Sequence, residues 1–207
     1  MQTSLFDELT EEQIDLGQGC SLRLLQQVLP AELAGTCLQR LAALELEQTR
    51  IRIAGRDVPI PRLNAWHGDP EAAYAYSGVY FSPRPWTGEL QACREYCEQH
   101  SRSRFNSVLV NLYRDGNDSV AWHADDEPYL GRNPLIASLS LGAARRFRLK
   151  HRSDKQRKPL TLTLPHNSLL IMQGALQHHW LHTVPKTRQA CAARINLTFR
   201  RVIPDLH

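Results

Sequence analysis

Near the middle of the chain, Trp122-His123-Ala124-Asp125 places a histidine and an aspartate two residues apart. Extended backbone turns positions i and i+2 to the same side, so an imidazole and a carboxylate are offered there together as metal donors. A second imidazole from elsewhere would complete a two-histidine, one-carboxylate facial triad, which binds Fe(II) and leaves its opposite face open to an organic cosubstrate and dioxygen. The cluster His178-His179-Trp180-Leu181-His182 holds three candidates for that third donor. His-x-Asp alone is a short pattern. His178 and His182 stand at the i, i+4 spacing of a zinc pair on a helix, and the histidines read equally well as surface residues.

A second constellation narrows the chemistry. In Arg194-Ile195-Asn196-Leu197-Thr198-Phe199-Arg200 every even position is polar or charged and every odd position is apolar, the pattern of a strand with one buried face. Two arginines turned into a closed interior are costly unless they meet anions, and a dicarboxylate supplies two carboxylates that guanidinium groups bind through paired, charge-assisted hydrogen bonds. Asn111 and Tyr113, also two apart, add donors for the same ligand. The competing reading of the 194–200 segment is an edge strand facing water.

The elements that must position these groups come mainly from the C-terminal half. Segments 107–113, 136–141, 146–150, 160–164, 168–172 and 194–202 read as strands, several alternating cleanly. Upstream, Leu24, Leu25, Val28, Leu33, Leu38, Leu41 and Leu44 recur at three- and four-residue intervals, which predicts two amphipathic helices within residues 10–47, the second beginning at Pro30. A Pro- and Gly-punctuated region follows, then a helix over 87–101 with Leu90, Cys93, Tyr96 and Cys97 inward. Helices followed by many short strands make an α+β, mainly β, fold: a sandwich or jelly roll with N-terminal helices packed on one sheet.

The 207 residues suffice for one domain, and 42% hydrophobic with 22% charged residues is ordinary globular composition. No apolar run is long enough to span a bilayer, and the first sixteen residues carry acids where a signal peptide needs a basic and then an apolar stretch. Five scattered cysteines, Cys20, Cys37, Cys93, Cys97 and Cys191, argue for reduced thiols. An intracellular, cytoplasmic monomer is the expectation. The net charge of +4 is mild, but Arg145, Arg146, Arg148, Lys150, His151, Arg152, Lys155, Arg157 and Lys158 are crowded into one stretch. That stretch reads either as a phosphate-tracking surface at the mouth of a site or as a solvated strand and loop.

Taken together, the residues resemble the AlkB family of Fe(II)- and 2-oxoglutarate-dependent nucleic-acid dealkylases, closest to its DNA-repair branch. The resemblance runs from about Ile60 to Val202 through Pro61-Arg62, Trp66-His67-Gly68, Tyr74-Ala75-Tyr76-Ser77-Gly78, Asn111-Leu112-Tyr113, His123 to Glu127, Ile136 to Gly142, Trp180-Leu181-His182-Thr183-Val184-Pro185 and Arg194 to Arg200. It implies a double-stranded β-helix, with residues 1–50 as an N-terminal extension, 51–105 as a nucleotide-recognition region and 106–207 as the dioxygenase core. It implies His182 as the distal iron ligand, and Arg194 and Arg200 on the two ends of 2-oxoglutarate with Asn111, Tyr113, Asn196 and Thr198 assisting. On the substrate side it implies Tyr76 and His123 as the faces that sandwich a flipped base, with Tyr74 nearby, Glu127 at the exocyclic amino group, and Asp126 orienting Glu127 or an arginine; Trp66 reads equally as a pocket wall and as a core residue.

The implied reaction uses O2 and 2-oxoglutarate to oxidise an N-alkyl carbon of lesions such as 1-methyladenine and 3-methylcytosine in DNA or RNA, releasing formaldehyde, succinate and CO2. One departure from the duplex-specialist branch is the tip Ile53-Ala54-Gly55-Arg56-Asp57, where Ala54 is too small to wedge into a base stack and Ile53 or Arg56 is the alternative wedge. Gln2-Thr3-Ser4-Leu5-Phe6 looks like the motif by which bacterial repair proteins dock on the DNA sliding clamp. The alternatives are a nucleic-acid-binding protein of the same fold without turnover, or an oxygenase acting on a protein or a small molecule.

Overall fold

The computed structural model describes residues 9–53, 55–76 and 79–203, with the backbone alone at residues 51, 53, 74–76 and 79–81. Near the N-terminus, Gly17, Gln18 and Gly19 all have positive φ (69°, 56° and 70°), and glycine adopts that conformation without a Cβ clash. The chain therefore doubles back between two antiparallel strands, β1 (Thr10–Asp15) and β2 (Cys20–Gln26). This corrects the first of the two expected helices. Cys20, Leu22 and Leu24 enter one core cluster and Leu25 the other, so the Leu24-Leu25 doublet that imitates helical spacing marks the one point where this alternating strand is buried on both faces. The second helix forms as expected: α1 (Ala31–Ala42) starts directly after Pro30.

Hairpin β3 (Arg50–Ile53) and β4 (Arg56–Pro59) precedes β5 (Leu63–Gly68), and a second hairpin pairs β6 (Tyr74–Tyr76) with β7 (Val79–Phe81). Helix α2 (Gly88–Ser101) begins where the Thr87 side chain accepts the Leu90 N–H at 3.3 Å, a satisfied N-cap. The remaining elements are β8 (Ser107–Tyr113), β9 (Val120–His123), β10 (Ile136–Gly142), β11 (Arg145–His151), β12 (Leu160–Leu164), β13 (Ser168–Gly174), the one-turn α3 (Leu176–His179), β14 (Trp180–Val184) and β15 (Arg194–Arg200).

Two sheets result, a seven-stranded one in the order β1-β2-β13-β10-β15-β8-β5 and a four-stranded one in the order β12-β11-β14-β9, antiparallel throughout. Strand alternation divides the large sheet's side chains between two cores. Val108, Val110, Leu139, Leu141, Leu169, Ile171, Ile195, Leu197 and Phe199 pack with Ala34, Cys37 and Leu41 of α1 and Leu90, Cys93 and Cys97 of α2. On the other face, Leu22, Leu24, Ile136, Leu170 and Met172 meet Phe147, Leu149, Leu162, Leu164 and Trp180 of the small sheet's side. The helices thus seal one face, and the gap between the sheets is left for the site. All five cysteines are free, and Cys93 with Cys97 belongs to the helix-facing core. No helix among the described residues is long and apolar enough to cross a membrane.

Candidate metal and cosubstrate site

Strands β9 and β14 lie side by side with His123 opposite His182, and the two rings stand 4.2 Å apart between centroids at 60°. Asp125 follows two residues beyond the end of β9, its backbone N–H held by the Gln177 side chain at 2.9 Å. One ligand atom from each of His123, Asp125 and His182 lies within 4.8 Å of the others. His123 Nδ1 is 2.8 Å from the Ala121 carbonyl; a carbonyl only accepts, so Nδ1 donates there and Nε2 is the nitrogen left for a metal. Burial, with His123 adding to it, pushes the His182 pKa down to about 3, so that imidazole is neutral. Burial would push the Asp125 carboxyl up, but Arg200, His182 and His123 outweigh it and hold the carboxyl below its ordinary value. A neutral His182 imidazole, an ionised Asp125 and the His123 ring, converging on one space, make a donor set that suits a divalent cation.

The other two histidines of the cluster are directed elsewhere. His178 is exposed and bonds to the Arg132 carbonyl, while His179 stacks on His151 at 6.0 Å.

Behind the metal donors, one narrow cavity between the sheets is lined by His123, Asp125 and His182 together with Asn111, Tyr113, Arg194, Asn196, Thr198 and Arg200. Every residue assigned from the sequence to metal or cosubstrate binding therefore faces the same space. Arg194 is 1% exposed. It donates to Ser140 Oγ at 2.9 Å and lies over the Tyr113 ring at 5.2 Å, while its Nε and Nη1 have no hydrogen-bond partner. Burial depresses its pKa. A buried guanidinium with unanswered donors is a fit for a carboxylate. Arg200 instead donates to Asp125 Oδ1, leaving its Nε unpaired. Burial would lower its pKa, and Asp125 and Glu127 more than reverse that.

The polar neighbours brace one another. Asn196 Nδ2 donates to Ser138 Oγ at 2.7 Å and to the Leu139 carbonyl at 3.2 Å, and its Oδ1 accepts from Thr198 at 3.0 Å. Arg62 donates to Asn111 Oδ1 at 2.8 Å, which leaves the amide hydrogens of Asn111 for the cavity.

Beside this cavity opens a wider pocket of about 430 Å³ whose lining includes Trp66, Asn64, Arg84, Glu127, Tyr129 and Arg200. Arg200 borders both spaces. Burial raises the Glu127 pKa, and Glu127 Oε2 is buried without a partner. Trp66 both lines the pocket and packs against the core between the sheets. Asp126 pairs with Arg152 at 2.7 Å, which in turn donates to the Gln177 carbonyl at 3.2 Å. The Tyr74 and Tyr76 side chains lie outside the described positions, as does the Gln2-to-Phe6 motif.

Five contributors were not singled out in the sequence. Arg62 sits in the quoted Pro-Arg motif. Ser138 and Ser140 share the inward face of β10 with Ile136, which the alternation of Ile136 to Leu141 does signal. Phe147, whose ring lies 5.2 Å from that of His182, and Gln177 carry no such signal. The basic stretch divides: Arg145 is buried and donates to the carbonyls of Asp115, Asp118 and Pro185 at 3.0, 2.8 and 2.8 Å, so it is an internal staple instead of a phosphate contact. Arg157 likewise turns inward, donating to the Leu16 carbonyl and lying over Trp180 at 4.9 Å.

Residues 21–200 match the 2OG-Fe(II) oxygenase superfamily. Over 217 aligned positions the chain is 36% identical to the DNA oxidative demethylase ALKBH2 of Arabidopsis thaliana, covering 92% of this chain and 69% of that protein. It belongs to the AlkB family of these oxygenases. The metal and cosubstrates the family implies are Fe(II), 2-oxoglutarate and O2, and the donors described above fit them. The chain is also 44% identical over 153 residues to the human alpha-ketoglutarate-dependent dioxygenase alkB homolog 3, covering 70% of this chain and 53% of that protein. It thus spans about half the length of that relative and of its mouse and rat counterparts. The fold matches the solved structure of OsALKBH1 with a TM-score of 0.59 at 19% identity, over 92% of this chain and all of that one.

Proposed function

We propose that this chain is an oxidative nucleic-acid demethylase that removes N-alkyl groups from the base-pairing edge of damaged bases. The observation that carries the reading is the shared cavity: Arg194, buried with two unanswered donor nitrogens, faces the same space as the His123-Asp125-His182 triad. The relatives named as DNA oxidative demethylases support the substrate class.

In this reading His123, Asp125 and His182 would hold Fe(II), which with 2-oxoglutarate and O2 would supply the oxidation of the N-alkyl carbon, a methyl leaving as formaldehyde and 2-oxoglutarate as CO2 and succinate. The structure's division of labour between the arginines suggests their ends. Arg194, remote from the ion pair, takes the far carboxylate of 2-oxoglutarate with Asn111 and Tyr113. Arg200, already bonded to Asp125, takes the end beside the metal, and Asn196 with Thr198 keeps the wall rigid. The pocket lined by Trp66 and Glu127 receives the flipped base, with His123 and Tyr76 as stacking faces and Tyr74 close by. Glu127 Oε2 accepts the exocyclic amino group. Asp126, held by Arg152, fixes the segment that carries Glu127.

The test is anaerobic Fe(II) loading followed by assay on methylated single- and double-stranded oligonucleotides, with succinate and formaldehyde both scored. Both released in equal amounts, with the methyl lost from the oligonucleotide, supports the reading. Succinate without loss of methyl from any DNA or RNA overturns it in favour of an oxygenase with another substrate. Both duplex and single strand belong in the assay, because the β3–β4 tip carries Ala54, itself outside the described residues, where a stack-filling wedge would need bulk. In the same reading the protein works as a monomer in the bacterial cytoplasm, with Gln2 to Phe6 as its handle on the sliding clamp. Phe6→Ala abolishing capture by purified clamp, together with a monomeric sedimentation mass, is the expected result.

A further inference from the structure

The four strands of the small sheet, Val120–His123, Arg145–His151, Leu160–Leu164 and Trp180–Val184, contain no aspartate or glutamate. Alternation along β11 sends Arg145, Phe147 and Leu149 inward, where they are buried, and Arg146, Arg148 and Lys150 to the outer face. Among the described residues none of these three cations pairs with a carboxylate. Arg23, Arg84, Arg94, Arg104, Arg114 and Arg152 elsewhere each do, whereas Arg62, Arg102, Arg132, Arg188 and Arg201 share the lack, so it is the grouping of three on one face that sets this strand apart. Trp122 shares the outer face from β9. Lys150 Nζ lies 4.6 Å from its ring centroid and the Arg148 guanidinium carbon 5.9 Å, so one indole steadies two cations reaching across the sheet.

The placement of this patch relative to the site is as informative as its charge. Strand β9 is the edge of the small sheet, and its consecutive residues Trp122 and His123 point to opposite faces, the first outward and the second to the metal donors. A polynucleotide that crosses that edge would meet Trp122, then Lys150 and Arg148. Outward residues on one strand recur about every 7 Å, so the three cations form a linear track instead of a single anion socket.

We propose that the outer face of the four-stranded sheet is a second nucleic-acid contact, in which Arg146, Arg148 and Lys150, positioned by Trp122, hold the phosphodiester backbone of the strand that continues past the target base. The proposal rests on the demethylase reading for its substrate. It adds a length-dependent docking surface on the side of the sheet that faces away from the chemistry. The acid-free strands, the absent ion pairs and the linear arrangement match a repeating anion and carry no feature that would read sequence.

The experiment compares the unaltered protein with the triple variant Arg146→Gln/Arg148→Gln/Lys150→Gln, and with Trp122→Leu, on a methylated single strand of about 5 nucleotides and another of about 20. Each cation lost from a single-strand contact lessens the slope of log affinity against log salt by roughly 0.7. The triple variant is therefore expected to flatten that slope by about two and to bind the longer strand about 10- to 100-fold more weakly at ~0.1 M salt. KM on the longer strand rises with kcat unchanged, while the short strand is turned over as before. Trp122→Leu shows a smaller loss in the same direction. An unchanged salt slope and KM on the longer strand overturn the proposal, and so does an equal loss on both lengths. If the unaltered protein demethylates neither strand, the demethylase reading fails instead, and the salt slope still reports whether this face holds nucleic acid.

Discussion

At the scale of single residues, the site separates groups that hold the metal from groups that surround it, and substitutions should follow that division. His182→Ala removes a buried donor 3.7 Å from Asp125 Oδ2 and is expected to abolish Fe(II)-dependent succinate formation. His178→Ala trims an exposed side chain bonded to the Arg132 carbonyl and should leave most of that activity. Metal content measured on both variants decides between them, and loss of iron from His178→Ala would mean the wrong histidine has been assigned. Arg194→Lys keeps the charge but removes the planar fork. With two donors no longer matched to a carboxylate, KM for 2-oxoglutarate should rise on the order of 10- to 100-fold, about 1.4–2.8 kcal/mol, with a smaller effect on metal affinity. An unchanged KM would show that Arg194 does not meet the cosubstrate.

At the scale of elements, positioning depends on two connections that cross between segments far apart in sequence. Gln177, on the one-turn α3, accepts the Asp125 N–H, and Arg145, at the start of β11, gathers the carbonyls of Asp115, Asp118 and Pro185. Gln177→Met leaves a buried N–H unanswered, and loss of such an outer partner typically weakens metal binding roughly 10- to 100-fold. An Fe(II) titration that gives the unaltered affinity would refute the positioning role. Arg145→Met strands three carbonyls and should destabilise the fold by about 3 kcal/mol, read as a lower urea midpoint at unchanged slope. How legible these elements are in the sequence follows from their periods. Strand β15 announces both its buried faces because its polar residues alternate without exception, and with β8 it identifies the cosubstrate wall. The first helix expected at the N-terminus does not form because the Leu24-Leu25 doublet interrupts the alternation of Cys20, Leu22 and Leu24 with Ser21 and Arg23 and imitates helical spacing; the Gly17-Gln18-Gly19 turn is the better signal. Gln177 and Arg145 were opaque for a different reason, since the partners that define their roles lie 52, 30, 27 and 40 residues away and no local pattern encodes them.

At the scale of the whole molecule, the helices that seal the large sheet are joined to it by a carboxylate that makes stability depend on pH. Glu98, near the end of α2, accepts the Phe105 N–H at 2.9 Å just before β8 and bonds to Arg94 at 3.0 Å and Arg104 at 2.6 Å. Burial alone would raise its pKa, but the Phe105 N–H and the two arginines together hold it below the ordinary 4.5. Because the folded value is below the unfolded one, the unfolded chain binds more protons in that range, and stability must fall as pH falls. The contribution is fully present above pH 4.5 and disappears as the pH drops through the lowered folded value. Glu98→Gln keeps the shape but lacks the charge, so it should cost about 1–3 kcal/mol at pH 7, with the difference shrinking as the pH falls below 4.5. Urea unfolding of the two proteins across pH 3 to 7 is the direct measurement: converging curves are expected, and parallel curves would place the acid sensitivity in other carboxylates, of which Asp118, held low by Arg114, is the next to test. The same bond fixes the start of β8, the strand that carries Asn111 and Tyr113 to the cavity. A Glu98→Gln protein assayed near neutral pH should therefore lose thermal stability before it loses affinity for 2-oxoglutarate, because the register of β8 is held along its whole length by β5 and β15.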